Sequence, residues 1–267
     1  EEILKAFQAH PDQYISGEAL SRQLGCTRSA VWKAIEALRD EGYQIEAIPR
    51  RGYRLRAKAD RLNRHSLAPF LETQVLGRVV KDYDTLPSTQ EAAHQWAKQG
   101  APEGTVVVAE EQLQGRGRMG RGWHSPRGTG IWMSLILRPQ FSLQGAPHVT
   151  LMAAVAVAQA IRQWFARQDL PALVPEIRIK WPNDVLILGR KVCGILTEIH
   201  AEMDRIHYLI LGLGLNVNQK PDDFPPELRG RVTSLFMASG KMSERAPLAA
   251  LLLKNLEENY FLLRAEG

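Results

Sequence analysis

Between residues 115 and 123 the chain reads Gly115-Arg116-Gly117-Arg118-Met119-Gly120-Arg121-Gly122-Trp123, four glycines and three arginines with no acidic residue. Glycine lets a backbone take positive φ and come close to a ligand. Arginine presents a planar, permanently charged fork that suits phosphate and carboxylate oxygens. A loop with this chemistry fits closure over an anion better than a core. The letters Gly115-x-Gly117-x-x-Gly120 match the dinucleotide fingerprint, which needs a strand before the glycines and a helix starting within them. A strand candidate precedes at 105–109, but Trp123-His124-Ser125-Pro126-Arg127-Gly128-Thr129-Gly130 is a run of helix breakers. The Gly-Lys-Ser/Thr ending of a P-loop is missing too. A Rossmann site is therefore set aside, and a solvated basic loop stays open as the plain alternative.

Three other segments carry polar chemistry. Ser88-Thr89-Gln90-Glu91 opens a helix. Ser88 with Glu91 is a complete capping box by itself, and the same hydroxyls could bond a small polar ligand. Lys180-Trp181-Pro182-Asn183-Asp184 ends a strand, since Pro182 stops ladder pairing. A lysine closing the apolar run 177–181 is expected to be partly buried, and a buried ammonium needs an anionic partner: Asp184, or a ligand's carboxylate or phosphate. In Leu211-Gly212-Leu213-Gly214-Leu215-Asn216 the glycines alternate, so one face of that strand is bare. The bare face serves either as a wall for a ligand or as a seat for a helix.

These segments must be held by a frame, and the frame is legible. The chain has 267 residues, 45% hydrophobic and 24% charged, the profile of an ordinary globular protein of one or two domains. A net charge of +5 permits a nucleotide or nucleic-acid partner. Two distant cysteines, Cys26 and Cys193, build no disulfide framework, which points to a reducing, cytoplasmic compartment. No apolar run is expected to reach membrane-spanning length, the longest being 151–160.

Residues 1–57 read as a unit. A short helix ends before Pro11, Ser16 caps a second at 17–24, and Thr27 caps a third at 28–40 with an apolar stripe of Ala30, Val31, Ala34, Ile35 and Leu38. Strands at 43–48 and 52–55 flank Pro49-Arg50-Arg51. This is a winged helix. Arg28, Ser29, Trp32 and Lys33 on the third helix and Arg50 and Arg51 at the wing tip are the candidate DNA contacts, with a small protein-binding module as the alternative. Residues 58–65 read as linker, and 66–267 as a second domain. Its helices are expected at 89–98, 148–167 and 247–263, its strands at 105–110, 131–137, 176–181, 185–188, 192–199 and 206–217, with Gly189-Arg190 as a hairpin turn. Hairpin-linked strands make this an α+β fold with a mixed sheet, not a doubly wound one.

Taken together, Ser88-Thr89, Gln112, Gly115 to Arg121, Lys180 to Asp184, Lys191-Val192-Cys193-Gly194-Ile195-Leu196-Thr197-Glu198 and Gly212 to Asn216 closely resemble the biotin protein ligase family. With a winged helix in front, the chain resembles the bifunctional bacterial form that also represses biotin-synthesis genes. The resemblance implies a catalytic fold similar to class II aminoacyl-tRNA synthetases and lipoate ligases. It implies joining of biotin to ATP with Mg²⁺, giving biotinyl-5′-adenylate. Biotin then passes to a lysine of a biotin carboxyl carrier protein. It implies operator DNA as a partner and a homodimer when adenylate is bound. By that likeness Lys180 and Arg118 are the catalytic residues, Lys180 meeting the biotin carboxylate and the α-phosphate. Ser88, Thr89, Gln90 and Gln112 surround the ureido ring. Gly115, Arg116, Gly117 and Arg118 form a lid, with Arg121 as support. Gly194, Gly212 and Gly214 form the walls, and Asn216 stands near the nucleotide. No protein ligand is assigned to the metal.

Two departures stand out. Cys193 falls where the family usually has Gly or Ala, and is expected to add volume beside the biotin wall. Bacterial members carry a small C-terminal β-barrel, and this sequence is expected to lack it. A biotin-sensing transcription factor without ligase activity and a lipoate ligase are the competing readings.

Overall fold

Hydroxyl caps set the second and third helices in the computed structural model, which describes residues 2–10, 13–40, 43–57, 60–141, 143–202 and 205–266. The chain divides into two compact units, Glu1–Asp60 and Arg61–Gly267. In the first, α1 (Glu2–Ala9) is followed by α2 (Gly17–Leu24), where Ser16 Oγ accepts the Ala19 N–H and Gly25 closes the helix at φ 61°. α3 (Arg28–Asp40) starts with Thr27 Oγ1 accepting the Ala30 N–H. It turns Val31, Ile35 and Leu38 onto a core of Ile3, Phe7, Leu20 and Ile45. Ala30, expected in that stripe, is exposed on the first turn. β1 (Gln44–Ile48) and β2 (Gly52–Ala57) form the wing hairpin. Tyr53 pairs back to Ile15, and Gly52, at φ 107°, is required there because a Cβ would fall 2.2 Å from the Ile15 carbonyl oxygen. Gly42, read as the end of the third helix, lies outside the described residues.

The second unit begins earlier than the sequence implies. Of the linker read at 58–65, residues 58 and 59 lie outside the described residues. Leu62 is already buried, its N–H donating to Glu110 Oε1 at 2.6 Å, and Asn63 caps α4 (Arg64–Leu67). A seven-stranded sheet follows from β3 (Val80–Leu86), α5 (Thr89–Lys98), β4 (Val106–Gln112), β5 (Gly130–Leu137), α6 (Ala146–Arg167), β6 (Ile177–Lys180), β7 (Asp184–Ile187), β8 (Arg190–Glu202) and β9 (Arg205–Asn216). α7 (Leu235–Ser239) and α8 (Arg245–Glu266) close the chain. The sheet order is β3-β4-β5-β9-β8-β7-β6. β3 and β4 are parallel across the α5 crossover and every other pair is antiparallel, the mixed sheet of an α+β fold. The tight turn between β7 and β8 is Leu188-Gly189, one residue earlier than expected, with φ of 51° and 73°.

One face of the sheet is covered by α6 and α8, whose Val149, Ala153, Val157, Leu252 and Leu256 meet Val108, Met133, Leu211 and Leu213. The 22-residue α6 is long and apolar enough to cross a membrane, contrary to the expectation from residues 151–160. Its apolar side chains are nevertheless largely buried in this core. The other face is covered by α5 only over β4, β5 and the far end of β9, through Ala93 and Ala97 against Val107, Ile136 and Ile210. Alternation along β8 and β9 turns Gly194, Gly212 and Gly214 to this face, Gly212 beneath Gln90 of α5 and the other two on the uncovered part. A site is possible there.

Candidate functional site

The uncovered strip holds a small, polar-walled chamber of about 40 Å³, lined by Ser88, Thr89, Gln90, Gln112, Ser134, Gly194, Gly212 and Gly214 among others. Its back is a chain of hydrogen bonds. Gln112 Oε1 accepts from the Thr89 N–H at 2.8 Å and from its hydroxyl at 3.0 Å. Thr89 Oγ1 lies 2.9 Å from Ser134 Oγ, which donates to Gln90 Oε1 at 3.1 Å, and Gln90 Nε2 donates to the Ile210 carbonyl. Gly212 makes room for this: a Cβ there would fall 2.4 Å from Gln90 Oε1. Helix packing therefore explains Gly212.

The expected capping box at the start of α5 does not form. Ser88 stands at the N-cap with no side-chain cap bond, and its buried Oγ has no protein partner. Glu91 turns away to Arg116, its Oε2 3.0 Å from Nη2. A buried hydroxyl without a protein partner costs free energy, and Ser88 lines the chamber.

The glycine–arginine loop folds over the chamber as a narrow flap. Arg116 pairs with Gly122, the Gly117 N–H donates to the Arg121 carbonyl at 2.7 Å, and the Trp123 N–H donates to the Gly115 carbonyl at 2.8 Å. The tip turns through Met119 and Gly120 at positive φ, with Met119 88% exposed. No helix follows, so the dinucleotide reading stays excluded. Arg118 Nη1 donates to Asn183 Oδ1 at 3.0 Å, and Asn183 is itself fixed by Nδ2 on the Ile195 carbonyl. The Arg121 side chain is exposed, and its part in the flap is made by its backbone.

Trp123 fills the bare wall. A Cβ on Gly214 would fall 2.3 Å from its Nε1, and one on Gly194 2.8 Å from its ring. Its Nε1 is buried without a protein partner. Beyond Arg118 and Trp123 lies a cleft of about 680 Å³, lined by Lys180, Asn183, Asp184, Lys191, Asn216 and Phe224 among others. Asn216 is held there by Nδ2 on the Thr233 carbonyl and by Gln219 Nε2 on its Oδ1.

Lys180 lies on the rim of this cleft and is exposed, against the expected partial burial. Asp184 is not its partner: Asp184 Oδ1 lies 2.7 Å from Lys191 Nζ, whose ammonium also lies over the Trp123 ring, 5.0 Å from its centre. Asp184 stands opposite Lys180 on β6 and Gly194 on β8, and its side chain turns to the lysine of β8. Cys193 does not crowd the wall either. It alternates with Gly194, points into the helix-covered core, and burial pushes its thiol up to about 12.

Sequence reasoning missed Trp123, Ser134, Asn183 and Lys191 as lining residues. Ser134 had a signal, as the lone polar residue in the strand 130–137. In the first unit Arg28, Ser29, Trp32, Lys33, Arg50 and Arg51 are all exposed.

A small chamber and a wide basic cleft meet beneath a glycine–arginine flap on a mixed sheet, an arrangement with room for a compact ligand beside an anionic one. Residues 83–216 match the model of the biotin/lipoate A/B protein ligase family, and residues 1–54 match a helix-turn-helix domain. The bifunctional ligase/repressor BirA of Bacillus subtilis is 48% identical over 97% of this chain and 77% of its own length. That of Escherichia coli is 28% identical over 96% of this chain and 75% of its own. A biotin protein ligase of Aquifex aeolicus, solved with biotin and ATP, superposes with a TM-score of 0.58 at 31% identity, covering 71% of this chain and 73% of that one. The chain belongs to the biotin/lipoate A/B protein ligase family, among its bifunctional ligase/repressor members.

Proposed function

We propose that the second unit joins biotin to ATP and passes the biotinyl group to a lysine of a biotin carboxyl carrier protein. The observation that carries this reading is the unpaired, buried Ser88 hydroxyl facing a polar chamber that opens, past Arg118 and Trp123, onto a cleft rimmed by Lys180 and Lys191. A bicyclic urea needs donors and acceptors at one end and a flat apolar wall along its length. Ser88 and the chain through Thr89, Gln112 and Ser134 supply the first, and Trp123 with the glycine strands the second. A chamber of about 40 Å³ is far below an ordinary small-molecule site, so ligand entry requires Trp123 and the flap to move outward.

In the first step a biotin carboxylate oxygen bonds to the α-phosphorus of ATP, and pyrophosphate leaves with the electrons of the broken P–O bond. Carboxylate and polyphosphate repel one another, and fixed cations offset that repulsion where charge develops. Arg118 stands where the chamber meets the cleft and Lys180 on the cleft's rim, and both are assigned this role. In the second step the neutral amine of the acceptor lysine attacks the acyl carbon, the C–N bond forms, AMP leaves, and the amine proton is released. The closed flap keeps water from the mixed anhydride in between.

The described residues do not build a Mg²⁺ site of their own. Among the described residues no cluster of three carboxylate, histidine or cysteine side chains is placed to hold a metal, and Asp184 is taken by Lys191. Magnesium fits only as an ion carried on the nucleotide phosphates, and no step is drawn through it.

The first unit is proposed to bind operator DNA with Arg28, Ser29, Trp32, Lys33, Arg50 and Arg51, as a cytoplasmic repressor that dimerises when adenylate orders the flap. Lipoate ligation is the second reading, since the family name covers both acids. Mass spectrometry of a carrier domain after incubation with ATP and an equimolar mixture of biotin and lipoate tests the reading. Addition of biotin alone is expected, and addition of lipoate would refute it.

A further inference from the structure

The Ser88-x-x-Glu91 sequence has the letters of a self-satisfied helix start, yet neither half is used for that. Ser88 Oγ faces the chamber with no protein partner, and Glu91 Oε2 lies 3.0 Å from Arg116 Nη2. We infer that Glu91 is a positioning residue for the flap: its ion pair with Arg116 holds the glycine–arginine loop down over the chamber and so sets how long the bound adenylate stays enclosed. The inference rests on the ligase reading for its consequence, but the latch itself is a property of the ligand-free chain.

The flap has two side-chain tethers at its start, on opposite sides. Arg118 reaches Asn183 at the turn after β6, and Arg116 reaches Glu91 on α5. From Arg118 to Gly122 the loop is held by its own backbone bonds and its tip is open to solvent, while Trp123 seats its far end on Gly194 and Gly214. Without Glu91 the α5 side of the flap is held, among the described residues, only at its base, by the Gln114 N–H on the Pro87 carbonyl and by Thr89 on the Gln112 side chain. On the outer side, a groove between the flap and β8 is lined by Leu196 and Glu198. Glu198 is engaged by His94 Nε2 at 3.1 Å, so it does not compete for Arg116. Arg116 and Glu91 are each close to half exposed, at 49% and 43%. A pair in that setting is worth a small, salt-sensitive factor, about fivefold at most. A lid needs such a value, since a tether much stronger would keep ligand out.

Two measurements on the full chain test this. In the ligand-free protein, Glu91→Gln is expected to raise the rate of trypsin cleavage within 116–121 about twofold to fivefold, and high salt to erase the difference. Glu91→Asp is expected to recover part of the protection. The melting temperature is expected to fall only slightly, through the loss of one first-turn carboxylate from α5. With biotin and ATP, the same variant is expected to release adenylate faster and to raise the biotin KM by the same factor, leaving kcat for adenylate formation alone. Equal cleavage rates in the two proteins would overturn the inference, as would a lowered melting temperature with unchanged cleavage, which is the signature of a helix cap. A chain that makes no adenylate would instead sink the ligase reading, with the latch still decided by the cleavage rates.

Discussion

Trp123 packs against Gly214: a Cβ at position 214 would fall 2.3 Å from the indole Nε1. The glycine that bares the wall is thus filled by a side chain from the flap, and the two form one movable partition between chamber and cleft. Gly214→Ala is expected to displace Trp123 while β9 stays paired, since the Cβ points to the uncovered face. Biotin affinity should fall about tenfold, which is about 1.4 kcal/mol, with the melting temperature little changed. Calorimetry and thermal unfolding of the same sample check both halves. An unaltered affinity would show that the wall is not where biotin lies.

Ser88 separates a ligand contact from a helix cap. If the hydroxyl capped α5, its loss would cost about 1 kcal/mol of stability. Because its Oγ has no protein partner, Ser88→Ala is expected to be neutral or slightly stabilising, and to weaken biotin binding by about tenfold or more. Loss of stability with intact binding would restore the cap.

Burial holds the Cys193 thiol protonated up to about 12. Its pKa in the unfolded chain is about 8.5, so the folded state binds the extra proton between these values. Stability from this group is complete below the lower pKa and declines as pH rises toward the upper one, by about 1.4 kcal/mol per pH unit. Urea unfolding from pH 8 to 11 should show a decline that Cys193→Ala flattens. At pH 8 a thiol reagent should modify Cys26, which is partly accessible, and leave Cys193 intact until the protein unfolds.

Arg50 and Arg51 sit exposed at the turn between β1 and β2. If they meet phosphates, replacing both by Ala should lower the slope of log affinity against log salt by about 2, weakening all DNA sequences alike. Fluorescence anisotropy at several salt concentrations reads that slope. Arg28→Ala, on the first turn of α3, should instead relax sequence preference.

The parts of the fold set by local chemistry were legible in the sequence. Ser16 and Thr27 cap where their hydroxyls imply, and the alternating glycines of β9 do bare one face. What was hidden depends on contacts between distant segments. β3 was missed because Lys81, Asp82 and Asp84 break its apolar alternation, as suits a strand at the edge of a sheet. Asp184 stands opposite Lys180 in the β6–β7 ladder yet pairs with Lys191 of β8, a side-chain choice that spacing along the chain does not reveal. Trp123 looked like the end of a loop, and only its position over Gly194 and Gly214 makes it a wall. Cys193 was misjudged by one residue of strand period, which puts it in the core.

The central claim is that Lys180 and the flap join the carboxylate of biotin to ATP. Pyrophosphate release, measured with biotin, with lipoate and with no acid, tests it most directly. The account predicts release with biotin only, reduced about a hundredfold or more by Lys180→Ala with no loss of stability, since Lys180 is exposed. Release with lipoate but not biotin, or undiminished release from the Lys180→Ala variant, would contradict it.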